Sequence, residues 1–283
     1  MVQEIIMSAI NLKLSLWDTH FKRLNILKDA KVMLLQEVNE PVLKMAVSKA
    51  ATLMGANDVT VKDNLIWEQD YLGRIFSMMS DVIFVATSTQ KCVARFSAQS
   101  TVPVICVKSR AHGSLQALAT VMSIIEDYGT MNCLNIAYIG KPHPVLNSYL
   151  LLCPMLGANF KFKCCCPKCP VSPLLYKTSK DMTEQTHTSL KQCKQKAEVL
   201  SQACVIIAGP ATKQEKADEF KFTIEDINKY SFCNWTFYHT CPWGQEVNEN
   251  LFYHSNARTF KAFNNMQFIA AALMAKSVKG RVF

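Results

Sequence analysis

With 283 residues, 49% of them hydrophobic and 19% charged, the chain is long enough to bury two cores of ordinary size. No apolar run reaches the roughly 18 residues that span a bilayer, which excludes a helical membrane span. A net charge of +9 suits an anionic partner, yet the lysines are scattered, so nucleic acid is not expected. Twelve cysteines without a secretory leader pattern read as reduced thiols that pack as small hydrophobes. The amphipathic start carries Glu4 and no arginine before Arg23, unlike a transit peptide, and predicts a cytoplasmic protein.

In chain order, short apolar runs alternate with helical patterns. Residues 32–35 read as a buried strand. Pro41 opens a helix with Leu43, Val47, Ala50 and Met54 on one face, and Gly55 stops it. A strand over 58–61, a helix over 68–79, a strand over 82–85, a helix over 90–99 and a strand over 102–107 follow. Leu115, Leu118, Ala119, Met122 and Ile125 recur at helical spacing over 114–128. After Gly129 the spacing predicts a strand over 133–139 and a helix over 144–156, closed by Gly157. A strand over 159–164, a helix over 190–200, strands over 204–208 and 235–238 and a last helix over 264–276 complete the chain. Continuous apolar strands separated by helices predict an α/β protein with two parallel-sheet domains, divided near 126–133. Ligands of such sheets sit beyond the carboxyl ends of the strands.

Those loops carry a resemblance. The segment Asn234-Trp235-Thr236-Phe237-Tyr238-His239-Thr240-Cys241-Pro242 resembles Asp-Trp-Thr-Phe-Leu-His-Cys-Leu-Pro of the ornithine carbamoyltransferases. Glu246-Val247, Leu251-Phe252-Tyr253 and Asn265 follow at that family's spacing. Upstream, Ser80-Asp81-Val82, Val102-Pro103-Val104-Ile105, Leu115-Gln116, Ala119 and Gly140 keep the same order. The chain is thus similar to the aspartate/ornithine carbamoyltransferase family, and to its ornithine type, over nearly its whole length. The resemblance implies a carbamoyl-phosphate domain (1–128 plus a returning helix, 260–283) and an amino-acid domain (129–259). It also implies a homotrimer, a mitochondrial alternative for the compartment, no cofactor and no metal. The implied reaction makes L-citrulline and phosphate from carbamoyl phosphate and L-ornithine.

Position by position, that chemistry is not supported. A site for a small dianion needs guanidinium forks, helix N–H groups and a donor to the carbonyl oxygen. Where the family has Ser-Thr-Arg-Thr-Arg, this chain has Glu40-Pro41-Val42-Leu43-Lys44: a carboxylate, a residue without N–H, an aliphatic and a point charge without the fork. Glu40 and Pro41 read first as the start of a well-capped helix, since acidic residues favour the first turn. The next arginine is Ala86, the late one is Met266, and His-Pro-x-Gln is Gly113-Ser114-Leu115-Gln116, with His112 one residue early as a surface histidine. On the amino-acid side, Asn-Asn is His143-Pro144, the loop aspartate is Gly209, and no Ser-Met-Gly follows over 210–216. His-Cys-Leu-Pro-Arg is His239-Thr240-Cys241-Pro242-Trp243, which in an extended segment turns the thiol to the other side. Each charge-assisted hydrogen bond is worth roughly 1.5–3 kcal/mol. Losing the arginines at 42, 86 and 266 then weakens carbamoyl phosphate by at least ~4 kcal/mol, about a thousandfold, and loss of a transition-state donor removes about another 10²–10³ in rate.

The expectation is therefore a non-catalytic carbamoyltransferase-like protein with no catalytic residue left and with Lys44, Gln116, His239 and Asn265 as remnants. It would act as a binding or regulatory subunit in a homo-oligomer, or with an active relative. An active enzyme rebuilt around Lys44, Gln116 and His239 is the first alternative. An anion or nucleic-acid binder using the Lys-, Ser- and Thr-rich stretch from Lys168 to Lys196, read as a solvated excursion, is the second. Cys164, Cys166 and Cys169 have part of a zinc-knuckle spacing but lack a second pair, and packing thiols are expected there.

Overall fold

A computed structural model describes residues 1–18, 23–56, 58–62, 69–164, 171–210, 220–280 and 283, with the side chains of Asp58, Thr60, Val61 and Gln90 left aside. Glu68, at the start of an expected helix, lies outside the described residues, as do Cys165, Cys166, Lys168, Cys169 and residues 211–216. The described chain divides into two compact units, Met1–Met122 with Asn264–Phe283, and Ser123–Phe263.

The first unit opens with α1 (Val2–Asp18) and holds β1 (Lys31–Gln36), α2 (Pro41–Met54), β2 (Asp58–Lys62), α3 (Leu72–Ser77), β3 (Val82–Ala86), α4 (Gln90–Gln99), β4 (Val104–Lys108) and most of α5 (Ser114–Tyr128). Its four strands are parallel in the order β2-β1-β3-β4. Every residue of β3 is buried, as a strand covered on both faces requires. Gly55 ends α2 with a left-handed φ of 82°, its N–H turned to the carbonyls of Ala51 and Thr52, a conformation that costs glycine nothing. The final helix (Thr259–Lys279) belongs to this unit from Asn264 onward. There Lys276 pairs with Glu4 at 3.0 Å, and Phe283 donates its N–H to the Ser8 hydroxyl at 3.0 Å.

The second unit contains β5 (Asn135–Ile139), α6 (Pro144–Met155), β6 (Asn159–Lys163), α7 (Pro173–Thr186), β7 (Leu190–Gln192), α8 (Lys196–Leu200), β8 (Val205–Ala208), α9 (Ile224–Tyr230), β9 (Thr236–His239) and α10 (Glu249–Phe252); the final helix is α11. Its five strands are parallel in the order β7-β6-β5-β8-β9. The two parallel α/β sheets and the C-terminal helix of the first unit agree with the sequence reading.

Two local expectations need correction. The helix expected over 190–200 is an edge strand followed by the short α8, because the open edge of β6 takes up Leu190, Lys191 and Gln192. The excursion expected from Lys168 to Lys196 contains α7. That helix buries Ser179 and Thr183, small hydroxyl residues that leave little apolar periodicity to read, and the Ser179 hydroxyl donates to the Leu150 carbonyl. The amphipathic start is the helix α1, which buries Ile5, Ala9, Leu12 and Leu16.

Tyr128 ties its end of α5 to two strands: its hydroxyl lies 2.8 Å from the Cys204 carbonyl, 3.0 Å from that of Asn234 and 3.3 Å from the Thr236 hydroxyl. Burial raises the pKa of this phenol, so it stays a donor. Tyr128→Phe removes the donor and keeps the ring. Urea unfolding is expected to lose about 1–2 kcal/mol with an unchanged m value.

Candidate functional site

In the first unit the strand order reverses between β1 and β3, so an open sheet would take its ligand beyond Gln36 and Ala86. The chain's own acids lie there. The Glu37 carboxylate accepts from the Ser88 N–H at 2.6 Å and from the Thr87 hydroxyl at 3.0 Å, and the Glu37 N–H reaches the Ala86 carbonyl at 3.0 Å. Glu40 stands at the N-cap of α2, yet its side chain makes no capping bond; the expected well-capped start is replaced by Pro41 at the first helical position. The Glu40 carboxylate pairs instead with the ammonium of Lys108, the last residue of β4. Gln36 is fully buried, with its amide nitrogen 3.4 Å from the Glu40 carbonyl and its amide oxygen without a partner among the described residues.

The other expected residues of this unit scatter. Pro41 and Val42 are exposed, Lys44 is half-buried in the first turn of α2, and Ala86 is buried at its strand end. Gly113 is buried just before α5, and Gln116 is half-buried in its first turn. His112 is half-buried rather than at the surface, and burial lowers its imidazole pKa, leaving it neutral at pH 7. Asn265 is buried and accepts from the Lys13 ammonium of α1 at 2.9 Å, and Met266 is core. Sequence reasoning missed Glu37, Gln36 and Lys108. A charged residue directly after the apolar run of β4 was the available signal for Lys108.

In the second unit the order reverses between β5 and β8. Gly140 and Gly209, which end those strands, are so close that a Cβ on Gly140 would meet the Gly209 Cα at 2.5 Å. A Cβ on Gly209 would lie 2.0 Å from the Tyr138 hydroxyl oxygen, which donates to the Lys141 carbonyl at 2.9 Å. Tyr138 therefore occupies the space that a side chain at 209 would need. His143 caps α6, its Nδ1 accepting from the Val145 N–H at 3.2 Å, with Pro144 at the first helical position. These two residues serve the helix start.

His239 ends β9 fully inside the protein. Its Nε2 is 2.7 Å from the Glu246 carboxylate, and its Nδ1 accepts the Cys241 N–H at 2.8 Å. The second bond makes Nδ1 the acceptor and places the proton of the neutral ring on Nε2, facing Glu246. Burial raises the Glu246 pKa, but the bonds from His239 and from the Gly244 N–H outweigh it and leave the carboxyl below its ordinary value. Thr240 is buried, its N–H and hydroxyl both on the Ala208 carbonyl, at 2.9 and 3.1 Å.

Cys241 is not in an extended segment, which corrects the alternation argument. It has a left-handed φ of 47° and precedes a cis bond to Pro242, and the residue packs against the core. Burial, and then the charge of Glu246, push its thiol up to about 11, so it is protonated at neutral pH. Cysteine, histidine and glutamate thus lie together, but neither ring nitrogen is open to take a proton from a thiol. Cys164 is buried, and among the described residues no group of three His, Cys, Asp or Glu is placed to hold a metal.

Residues 132–276, just over half of the chain, match the family described as "Aspartate/ornithine carbamoyltransferase, Asp/Orn binding domain". The chain belongs to the aspartate/ornithine carbamoyltransferase family. It is 24% identical over 212 residues to the mitochondrial ornithine transcarbamylase of Gallus gallus, a match over 71% of this chain and 59% of that protein. It is 23% identical over 267 residues to an ornithine carbamoyltransferase of Campylobacter jejuni, over 88% of this chain and 87% of that one. Its fold is that of the ornithine carbamoyltransferase of Pyrococcus furiosus, with a TM-score of 0.91 at 19% identity over 100% of this chain and 94% of the other.

Within this family member the buried pair and the Tyr138 plug carry clear consequences. His239→Ala strands a buried carboxylate and is expected to cost about 3–5 kcal/mol in urea unfolding. Glu246 holds a lowered pKa, so its contribution is fully present above about pH 4.5 and is lost as the pH falls through the lowered value. Glu246→Gln should accordingly flatten the fall of melting temperature on acidification below that pH. Gly209→Asp should prevent cooperative folding, and adding Tyr138→Ala should restore a measurable part of it.

Proposed function

We propose that this chain is a non-catalytic member of its family, a binding or regulatory subunit that keeps the fold and lacks the family reaction. The observation that carries this reading is His239: both of its nitrogens are engaged inside the protein, beside a protonated thiol. The substitutions at Glu40, Pro41, Val42, Ala86, Gly113, Pro144, Gly209, Thr240 and Met266 support it, because they remove the forks and donors that a small dianion and an amino acid require. Assembly with copies of itself, or with an active relative, fits the exposed apolar residues Val38, Val42 and Met45 around the start of α2. The basic-surface alternative is weakened by the pairing of Lys191 with Glu198 and of Lys196 with Asp226.

The test is citrulline formation from carbamoyl phosphate and L-ornithine by purified protein that melts cooperatively, beside a Lys44→Ala control. No turnover above the protein-free blank is expected. Turnover that Lys44→Ala abolishes would overturn the proposal in favour of a site rebuilt around that lysine.

A further inference from the structure

The second unit carries an aromatic face on its surface. Trp243, Tyr253 and Phe260 are 39%, 57% and 58% exposed, and all three pack on the buried ring of Phe252. Phe252 lies flat against one face of Trp243, with centroids 4.4 Å apart and planes 8° apart, so the indole exposes its opposite face and its rim. Tyr253 stands at 89° to Trp243 with centroids 5.9 Å apart, and Phe260 lies beside Tyr253 at 5.8 Å and 24°. The indole is fixed in place, because its Nε1–H donates to the Val247 carbonyl at 2.9 Å, just before α10. Exposed rings joined in one cluster mark a surface that meets a partner. Trp243 stands where the ornithine carbamoyltransferase pattern has arginine, so this face is particular to the chain.

One charge stands beside these rings. Glu249 opens α10, and its carbonyl accepts the Tyr253 N–H at 3.0 Å, so the two side chains are one helical turn apart on the same side. Val247, which holds the Trp243 indole, lies two residues before it. Glu249 is exposed, and its carboxylate enters no ion pair or hydrogen bond among the described residues. The nearest basic residues in sequence, Arg258 and Lys261, are taken by Asp127 and Glu126. An aromatic ring offers its electron-rich face to a cation, and a carboxylate offers acceptors at its side. A guanidinium suits both together: it is planar, lies flat on an indole and keeps its N–H fork for a carboxylate at its edge. We propose that this face docks an arginine side chain of a partner polypeptide, with the guanidinium on the free face of Trp243 and Glu249 as its counter-ion.

The docking site goes beyond the non-catalytic reading and does not depend on it, since turnover and arginine binding are measured separately. Full-length protein with fluorinated tryptophan at its four tryptophan positions is titrated with an acetylated, amidated Gly-Arg-Gly peptide and with its Gly-Lys-Gly counterpart. Fluorine NMR follows the indoles, and Trp243→Phe identifies the resonance of that ring. The arginine peptide is expected to move this resonance saturably, at a concentration at least about threefold below that of the lysine peptide. Glu249→Gln and Tyr253→Leu, each first shown to melt cooperatively, are expected to weaken the arginine peptide at least about threefold. Should Tyr253→Leu impair folding, the exposed Glu249→Gln decides alone. An arginine peptide that leaves the Trp243 resonance unmoved would overturn the proposal. So would equal binding of the lysine peptide, or an affinity that Glu249→Gln leaves unchanged.

Discussion

In both units the strands run parallel beneath helices, and β3, β8 and β9 have every residue buried. The backbone polarity of such a sheet is spent on its neighbours, and both faces are apolar. Side-chain chemistry is therefore confined to the carboxyl ends of the strands. The residues that follow Gln36, Ala86 and Lys108 in one unit, and Ile139, Ala208 and His239 in the other, decide what the protein can bind.

At those ends the chain's polar groups answer one another. Glu37 is held by Ser88 and Thr87, Glu40 by Lys108, His239 by Glu246 and by the backbone of Cys241, and the Tyr138 hydroxyl lies against Gly209. The two ion pairs differ in strength. Glu40 and Lys108 keep about a third of their exposure, where a pair is worth roughly 0–1 kcal/mol. His239 and Glu246 are excluded from water, where removing one partner leaves an uncompensated group at several times that cost. Closure in the second unit is thus part of its folding, whereas closure in the first is a light latch.

Local structural needs account for the residues found at several of these ends. Pro41 and His143-Pro144 start helices. Thr240 spends both its N–H and its hydroxyl on Ala208, and Gly209 makes room for Tyr138. Each of these residues satisfies a local need for a cap, a hydrogen bond or space.

Much of the fold was legible from the order of residues. Runs such as 82–85 and 204–208 and the helical spacing of Leu115, Leu118, Met122 and Ile125 depend on local burial patterns, which a linear sequence records directly. α7 and β7 were misread because a helix buried through Ser179 and Thr183, and a strand recruited by the edge of β6, carry no strong apolar period of their own. The substituted positions were visible through a family resemblance, but their new partners were not. Lys108 lies 68 residues from Glu40, and residue 209 meets Tyr138 only because β5 and β8 are neighbours. The sequence by itself determined which chemical groups stand at the strand ends. Only the tertiary structure decided which of them meet, because pairing depends on strand order and register, and those bring together residues that the chain keeps far apart.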